Sequence, residues 1–265
     1  MKITIIGAGN IGGAMARGLA QREENEVTIT NISKGKLEPL KEECPRLNIS
    51  YNNAEAVQGA DLVIIAVKPW RAQAAVDTFR DVLDYDRQMI GSVVGGMGTE
   101  EISALFDRPD GKLPAVFYII PNTAIAVQES MTFICSTRAS QEQNEAVKAV
   151  FDMLGMTMFV EERFMNAGLV VASCGIAYAM RYIRAAMEGG IELGLYASDA
   201  QKVVIQTLKG ASVLLQKNGH HPEVEIDRVT TPAGLTIRGL AAMEEAGFSA
   251  SVIRGLRASM PKEKK

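Results

Sequence analysis

Histidine is nearly missing from this chain: His220 and His221 are the only two among 265 residues. They are adjacent, between Gly219 and Pro222, in what reads as a loop. Neighbouring residues seldom converge on one metal ion, and no cysteine or carboxylate stands at ligand spacing beside them. No metal site is expected, and catalysis by a buried histidine base is disfavoured. Cysteine is scarce too. Cys44, Cys135 and Cys174 are odd in number, far apart and form no CxxC. That argues against a disulfide framework or a cysteine zinc site and points to a reducing compartment. Neither charge sign dominates, since 28 basic against 31 acidic residues leave −3. A general nucleic-acid or membrane-surface binder would normally carry a basic excess. Long apolar runs are absent as well. The longest, Ala167 to Met180, is 14 residues, contains Ser173 and Cys174, and is too short for a membrane span. Met1-Lys2 leads straight into a strand, so no secretory leader is expected and the protein reads as cytoplasmic.

What is present describes a folded enzyme-sized chain. Hydrophobic residues make up 47% and charged residues 22%, an ordinary globular balance. The length suits one large domain or two modest ones. Residues 2–7, KITIIG, form a β-rich run ending in glycine. The run Gly7-Ala8-Gly9-Asn10-Ile11-Gly12 follows, and residues 13–19 read as a helix. Strand, GxGxxG, helix is the setting a dinucleotide fingerprint requires. Gly7 permits the tight turn, Gly9 lets backbone approach a pyrophosphate, and Gly12 lets the helix pack on the strand. The helix start, with Asn10 and Ile11, offers unpaired N–H groups to phosphate.

Alternation continues. Residues 26–30, 62–67, 88–94 and 114–120 read as strands, with helices over 36–44, 53–59, 70–82 and 99–106. The run LVIIAV suits a strand buried on both faces. This pattern predicts a doubly wound parallel sheet of the Rossmann type over residues 1–161. Residues 131–135 and 157–160 would add edge strands, with a helix over 141–154 between them.

From residue 162 to 265 no convincing strand occurs. Residues 164–190, 198–217 and 235–245 are helical stretches, with shorter ones around them. Ser198-Asp199-Ala200 offers a helix entry, Asn218-Gly219 a stop, and residues 261–265 a frayed tail. The first of these helices is apolar on most faces: Leu169, Val170, Val171, Ile176, Tyr178, Met180, Ile183. About 100 residues seldom surround such a helix, so an all-helical domain interleaved with a second copy is expected. A homodimer or higher homo-oligomer follows.

The second strand ends Thr30-Asn31-Ile32-Ser33-Lys34. NAD-preferring folds place a carboxylate there, on the ribose 2′-OH. None is present. Asn31 and Ser33 supply hydrogen-bond donors and Lys34 a charge, which favours NADPH, with NAD possible. The other reading makes Lys34 and Lys36 plain solvated helix-start residues.

Four blocks then show a resemblance along nearly the whole chain: Gly7–Gly12, Ala66-Val67-Lys68-Pro69, Pro121-Asn122-Thr123, and Asp227 to Leu240 with Thr230-Thr231-Pro232-Ala233-Gly234-Leu235-Thr236 at its centre. The chain resembles the pyrroline-5-carboxylate reductase family. The resemblance implies reduction of a cyclic imine to L-proline, the last step of proline biosynthesis. It implies that Thr231 and the backbone of Gly234 and Leu235 hold the substrate carboxylate, and that Thr236 meets the ring nitrogen. Read unaided, this turn is either an anion nest or a helix start capped by Thr231 or another nearby hydroxyl.

Some positions depart from the family pattern. Tyr118 stands where arginine is usual, Ala124 where proline is usual, Ser173-Cys174-Gly175-Ile176-Ala177-Tyr178 where a Gly-Ser-Gly-Pro-Ala-Tyr segment is common, Ala233 replaces glycine, and Leu235 a small residue or threonine. These bear on substrate identity more than on fold.

A histidine-poor protein suits imine reduction, because a protonated iminium needs no strong protein acid. Loops beyond the strand ends (Ala66, Val67, Lys68 and Pro69; residues 94–97; Asn122 and its neighbours) would cradle the nicotinamide half. Lys68 reads equally as a site contact or as a solvent-facing loop lysine. Two other readings stay open. A β-hydroxyacid-type dehydrogenase would need a catalytic lysine among the helices, where only Lys202 and Lys209 stand without a convincing motif. A non-catalytic dinucleotide-binding regulator would need no second anion nest.

Overall fold

The computed structural model of the protein describes residues 1–261; residues 262–265, in the tail read as frayed, and the side chain of Lys34 lie outside the described residues. The chain forms two compact units, Met1–Ser173 and Cys174–Lys265.

The first unit alternates as its sequence predicts. Its elements begin with β1 (Lys2–Ile6), α1 (Asn10–Ala20), β2 (Glu26–Thr30), α2 (Leu37–Glu43), β3 (Asn48–Ser50) and α3 (Asn53–Ala56). Then come β4 (Leu62–Ile65), α4 (Ala72–Val76), β5 (Met89–Ser92), α5 (Thr99–Ala104) and β6 (Val116–Ile120). The unit closes with β7 (Ser130–Thr137), α6 (Gln141–Asp152), β8 (Gly155–Phe159) and the helical turn α7 (Met165–Gly168). Eight strands make one sheet in the order β3-β2-β1-β4-β5-β6-β7-β8.

Side chains alternate across this sheet because strands have a period of two. Ile3, Ile5, Leu62, Ile64, Phe117 and Ile119 join one core. Their neighbours Ile6, Val63, Ile65, Val116, Tyr118 and Ile120 join the other. Both faces are buried, which is why β4 reads as an unbroken apolar run.

The first unit departs from the sequence reading at several points, the edge strand β3 among them, which the sequence reading lacks. β7 pairs antiparallel with β6, so the sheet is mixed. β7 also lies inside the sheet, and β3 and β8 are the edges. The helix expected over 70–82 is broken into a 3₁₀ turn (Pro69–Arg71), α4, and a second 3₁₀ turn (Arg80–Val82). Pro69 supplies a first-turn start but no N–H, and Thr78 turns its hydroxyl onto the Ala75 carbonyl, 2.6 Å away.

Among its described residues the second unit is all helical: α8 (Gly175–Glu192), α9 (Ala197–Asn218), α10 (Pro222–Val229), α11 (Leu235–Glu245) and α12 (Phe248–Ala258). Gly190 lets α8 meet α9 closely, since a Cβ there would sit 3.3 Å from the Ala200 Cβ. Tyr182 packs edge-on against Phe248, and Tyr178 hydrogen-bonds Ser259. α9 starts after Tyr196 without a side-chain cap, not at Ser198; Gly219, left-handed at φ 65°, ends it as expected.

Among its described residues this unit buries only Ala200 fully, while Leu193 and Tyr196 are 88% and 82% exposed. The helix expected over 164–190 to be buried nearly all round is so only in part: Met165, Gly168, Val170 and Ala172 are buried, while α8 has no fully buried residue in the single chain. The helical run Glu162–Glu192 is 31 residues, long and apolar enough to cross a membrane by length and composition alone. The 14-residue apolar count therefore understates it, because Arg163, Arg181 and Arg184 interrupt the run without ending the helix. A π-helical stretch, Leu169–Cys174, lies within that run.

Candidate active site

The glycine turn follows β1 at the point where the sheet order reverses between β1 and β4. Ligands of open α/β sheets sit beyond the strand ends at such a point. Gly7 has φ 112°, and a Cβ on it would lie 2.7 Å from the Ala66 carbonyl oxygen. A Cβ on Gly12 would lie 2.0 Å from the Gly7 carbonyl oxygen. Only glycine fits either position. Gly9 differs, because nothing lies within 4 Å of a Cβ built there. It precedes Asn10 and Ile11 at the start of α1, with no side-chain cap on the helix N–H groups. The turn is thus tight where it meets protein and open where a pyrophosphate would sit, so these residues fit a dinucleotide.

Asn31 ends β2 beside this turn. Its Oδ1 accepts from the Ala8 N–H at 3.3 Å, and its Nδ2 donates to the Ser33 carbonyl at 3.0 Å. The sequence reading made Asn31 a donor to the ribose end; the structure adds that it ties the glycine turn to the β2 loop. Ser33 is exposed. A polar line that sequence reasoning missed runs behind it. Thr30 Oγ1 donates to Asn53 Oδ1 at 2.6 Å, and Asn53 Nδ2 donates to Thr78 Oγ1 at 2.9 Å. These residues are distant in sequence, so no local pattern announces them.

Ala66, Val67, Lys68 and Pro69 follow β4, next to the glycine turn. The Ala66 N–H donates to the Ile6 carbonyl at 2.8 Å. Lys68 and Pro69 are exposed. Asn122 follows β6 and is buried. Its N–H donates to Ser130 Oγ, its Oδ1 accepts from the Ala124 N–H at 2.9 Å, and its Nδ2 donates to the Ala172 carbonyl at 3.4 Å. The side chain proposed as a cofactor contact is thus occupied in shaping its own loop. Tyr118, where the resemblance leads one to expect arginine, is buried within β6. Burial pushes its hydroxyl pKa above the usual range. Cys135 pairs with it in register, and burial pushes that thiol up to about 12.

Within the second unit, α10 ends at Thr230, whose hydroxyl bonds the Ile226 and Asp227 carbonyls at 3.2 Å. The Gly234 N–H donates to the Thr231 carbonyl at 2.9 Å, closing a tight turn. Ala233 is left-handed, φ 58°, the conformation that favours glycine. A Cβ on Gly234 would lie 2.5 Å from Thr231 Oγ1. α11 starts after Gly234 with no side-chain cap. The capping role considered for Thr231 is therefore not seen. Leu235 and Thr236 are exposed, at the uncapped helix start. Free N–H groups, a hydroxyl and a helix dipole end suit an anionic group.

The histidines are structural. His221 Nδ1 caps α10 by accepting from the Glu223 N–H, and His220 lies 2.7 Å from Glu225. Among the described residues no cluster of ligands could hold a metal ion. Lys202 pairs with Asp199 at 3.4 Å on the helix surface.

Two stretches of the chain match known families. Residues 162–265 match the family described as pyrroline-5-carboxylate reductase dimerisation. Residues 2–93 match the one described as NADP oxidoreductase, coenzyme F420-dependent. Pyrroline-5-carboxylate reductase 1 of Dictyostelium discoideum is 36% identical, covering 98% of this chain; the chain spans about half of that relative, 49%. Reductase 2 of the same organism is 37% identical, over 99% of this chain and 92% of the relative. The structure of a Plasmodium falciparum pyrroline carboxylate reductase with NADP bound shares the fold. Its TM-score is 0.84 at 22% identity, covering 98% of this chain and 95% of that one. Fold and family matches define an oxidoreductase of the nicotinamide-dinucleotide class with a helical domain of the dimerisation type. The chain belongs to the pyrroline-5-carboxylate reductase family.

Proposed function

We propose that this protein reduces 1-pyrroline-5-carboxylate to L-proline, with NADPH preferred over NADH, as a cytoplasmic homodimer or larger homo-oligomer. Residues 1–161 would bind the cofactor, and residues 162–265 would bind substrate and the second copy. The observation that carries the reading is the exposed, uncapped helix start at Thr231–Thr236, suited to an anion, in a chain that also has a glycine turn suited to a dinucleotide. A regulator that only sensed a dinucleotide would need no second nest.

When bound, the reduced nicotinamide supplies the hydride. Gly7, Gly9, Asn10, Ile11 and Gly12 would hold the pyrophosphate through backbone N–H groups. Asn31, Ser33 and Lys34 would meet the 2′-phosphate end. Ala66, Val67, Lys68, Pro69, residues 94–97 and the Asn122 loop would shape the nicotinamide end. The Thr231 hydroxyl and the backbone of Gly234 and Leu235 would take the substrate carboxylate, the Gly234 N–H being the one already turned to the Thr231 carbonyl. The Thr236 hydroxyl would orient the ring nitrogen. A protonated iminium is already electrophilic, so the chain's task is chiefly to hold the reacting carbon at near-attack distance. That task needs no histidine base.

The test is a comparison of substrates. NADPH oxidation with pyrroline-5-carboxylate, and NADP reduction with 3-hydroxy acids, are measured on the same preparation. The proposal expects turnover with the imine and none above background with the hydroxy acids. The opposite pattern would overturn it in favour of a β-hydroxyacid dehydrogenase.

A further inference from the structure

The loop after β5, residues 93–98, is glycine-rich: Val-Val-Gly-Gly-Met-Gly. It belongs to the group of loops beyond the strand ends. Gly96 is left-handed at φ 79°. A loop of this composition has many accessible conformations in isolation, so something must select one.

Four contacts do so. Ser92 Oγ accepts from the Val94 N–H at 3.3 Å. The Gly96 N–H donates to the buried Tyr118 hydroxyl. Glu101 Oε2 accepts from the Gly98 N–H at 3.0 Å. The fourth comes from far along the chain. Glu162 Oε1 accepts from the Thr99 N–H at 2.7 Å, and its Oε2 accepts from the Thr99 hydroxyl at 2.5 Å. A Cβ on Gly98 would lie 2.5 Å from Glu162 Oε1, so glycine there makes room for the carboxylate.

The first three contacts come from the loop's own strand, helix and neighbouring strand. Glu162 does not. It is the first residue of the segment that matches the dimerisation family, and it opens the 3₁₀ turn Glu162–Phe164 that leads into the long helical run. Both carboxylate oxygens are used on one threonine, and both bonds are charge-assisted, the stronger kind of hydrogen bond.

We propose that Glu162 is a positioning residue for imine reduction: by gripping Thr99 at two atoms it fixes the 93–98 loop that borders the nicotinamide end. It touches neither cofactor nor substrate. It acts through the loop, and it makes the loop's geometry depend on the start of the dimerisation segment. The inference rests on the proposal that this loop cradles the nicotinamide.

The test uses the full-length protein with Glu162→Ala and Glu162→Gln. Glutamine keeps an acceptor for the Thr99 N–H and an amide for its hydroxyl; alanine keeps neither. Turnover of pyrroline-5-carboxylate, melting temperature, and affinity for NADPH and for 2′-phospho-ADP-ribose (the cofactor without its nicotinamide) are measured. Alanine should lower kcat by about 5–50-fold, the scale of losing one or two charge-assisted bonds. It should leave fragment affinity within about twofold, and glutamine should recover most of the rate. Undiminished alanine turnover would overturn the inference, as would fragment affinity falling in step with kcat. If the wild-type protein does not reduce the imine, the substrate reading fails by itself. The inference is then decided by whether alanine weakens NADPH binding more than fragment binding; equal weakening, or none, would overturn it.

Discussion

The side-chain oxygen of Asn31 accepts a hydrogen bond from the backbone N–H of Ala8, 3.3 Å away. One amide thereby joins the end of β2 to the glycine turn. Its other end donates to the Ser33 carbonyl, so the loop after β2 is organised by a neutral group where NAD-preferring folds of this type carry a carboxylate.

This arrangement predicts the effect of Asn31→Asp. Aspartate keeps an acceptor for the Ala8 N–H, so the turn should survive. It loses the donor to Ser33 and places a negative charge beside the 2′-phosphate. The ratio of NADPH to NADH affinity should fall by at least about tenfold, on the order of 1.4 kcal/mol. Titration of both cofactors against both proteins measures it, and an unchanged ratio would remove Asn31 from cofactor choice.

Ala233 predicts a gain in stability. A non-glycine residue in the left-handed region costs about 1–2 kcal/mol. Glycine would relieve that but lose about 0.5–1 kcal/mol to the entropy of the unfolded chain. Ala233→Gly should therefore stabilise the protein by roughly 0.5–1 kcal/mol, the difference of those two effects. Chemical denaturation of the two proteins gives the sign. A less stable glycine variant would mean that the Ala233 methyl makes compensating contacts.

The exposed apolar side chains predict the solution state. Leu193, Tyr196 and Val171 lie open in the single chain, and a second copy docked through the dimerisation domain would cover such surface. Sedimentation should show a dimer or larger species at micromolar concentration. Val171→Asp, harmless on a free surface, should weaken assembly if that position is covered. A stable wild-type monomer would contradict the assignment.

Much of this was legible because the signals were local. Periodicity and length placed β2 at Glu26–Thr30 and α11 at Leu235–Glu245 as observed. The three-residue β3, Asn-Ile-Ser, escaped because one apolar residue makes no pattern. The 70–82 region read as one helix because helix propensity does not report where a hydroxyl or a proline breaks it. At the site, the glycine turn and the Thr231–Thr236 block stood out by residue type. The left-handed Ala233 did not, since alanine carries no sign of positive φ. Nor did the grip of Glu162 on Thr99, which spans 63 residues and is created only by folding.

The most direct measurement is the turnover of pyrroline-5-carboxylate by wild type, Thr236→Ala and Thr236→Ser, with melting temperatures and NADPH affinity for the same three proteins. The account predicts that alanine lowers kcat/KM by about 10–1000-fold while NADPH affinity and melting temperature stay near wild type, and that serine restores much of the rate. A stable, cofactor-binding alanine variant with undiminished turnover would contradict the account.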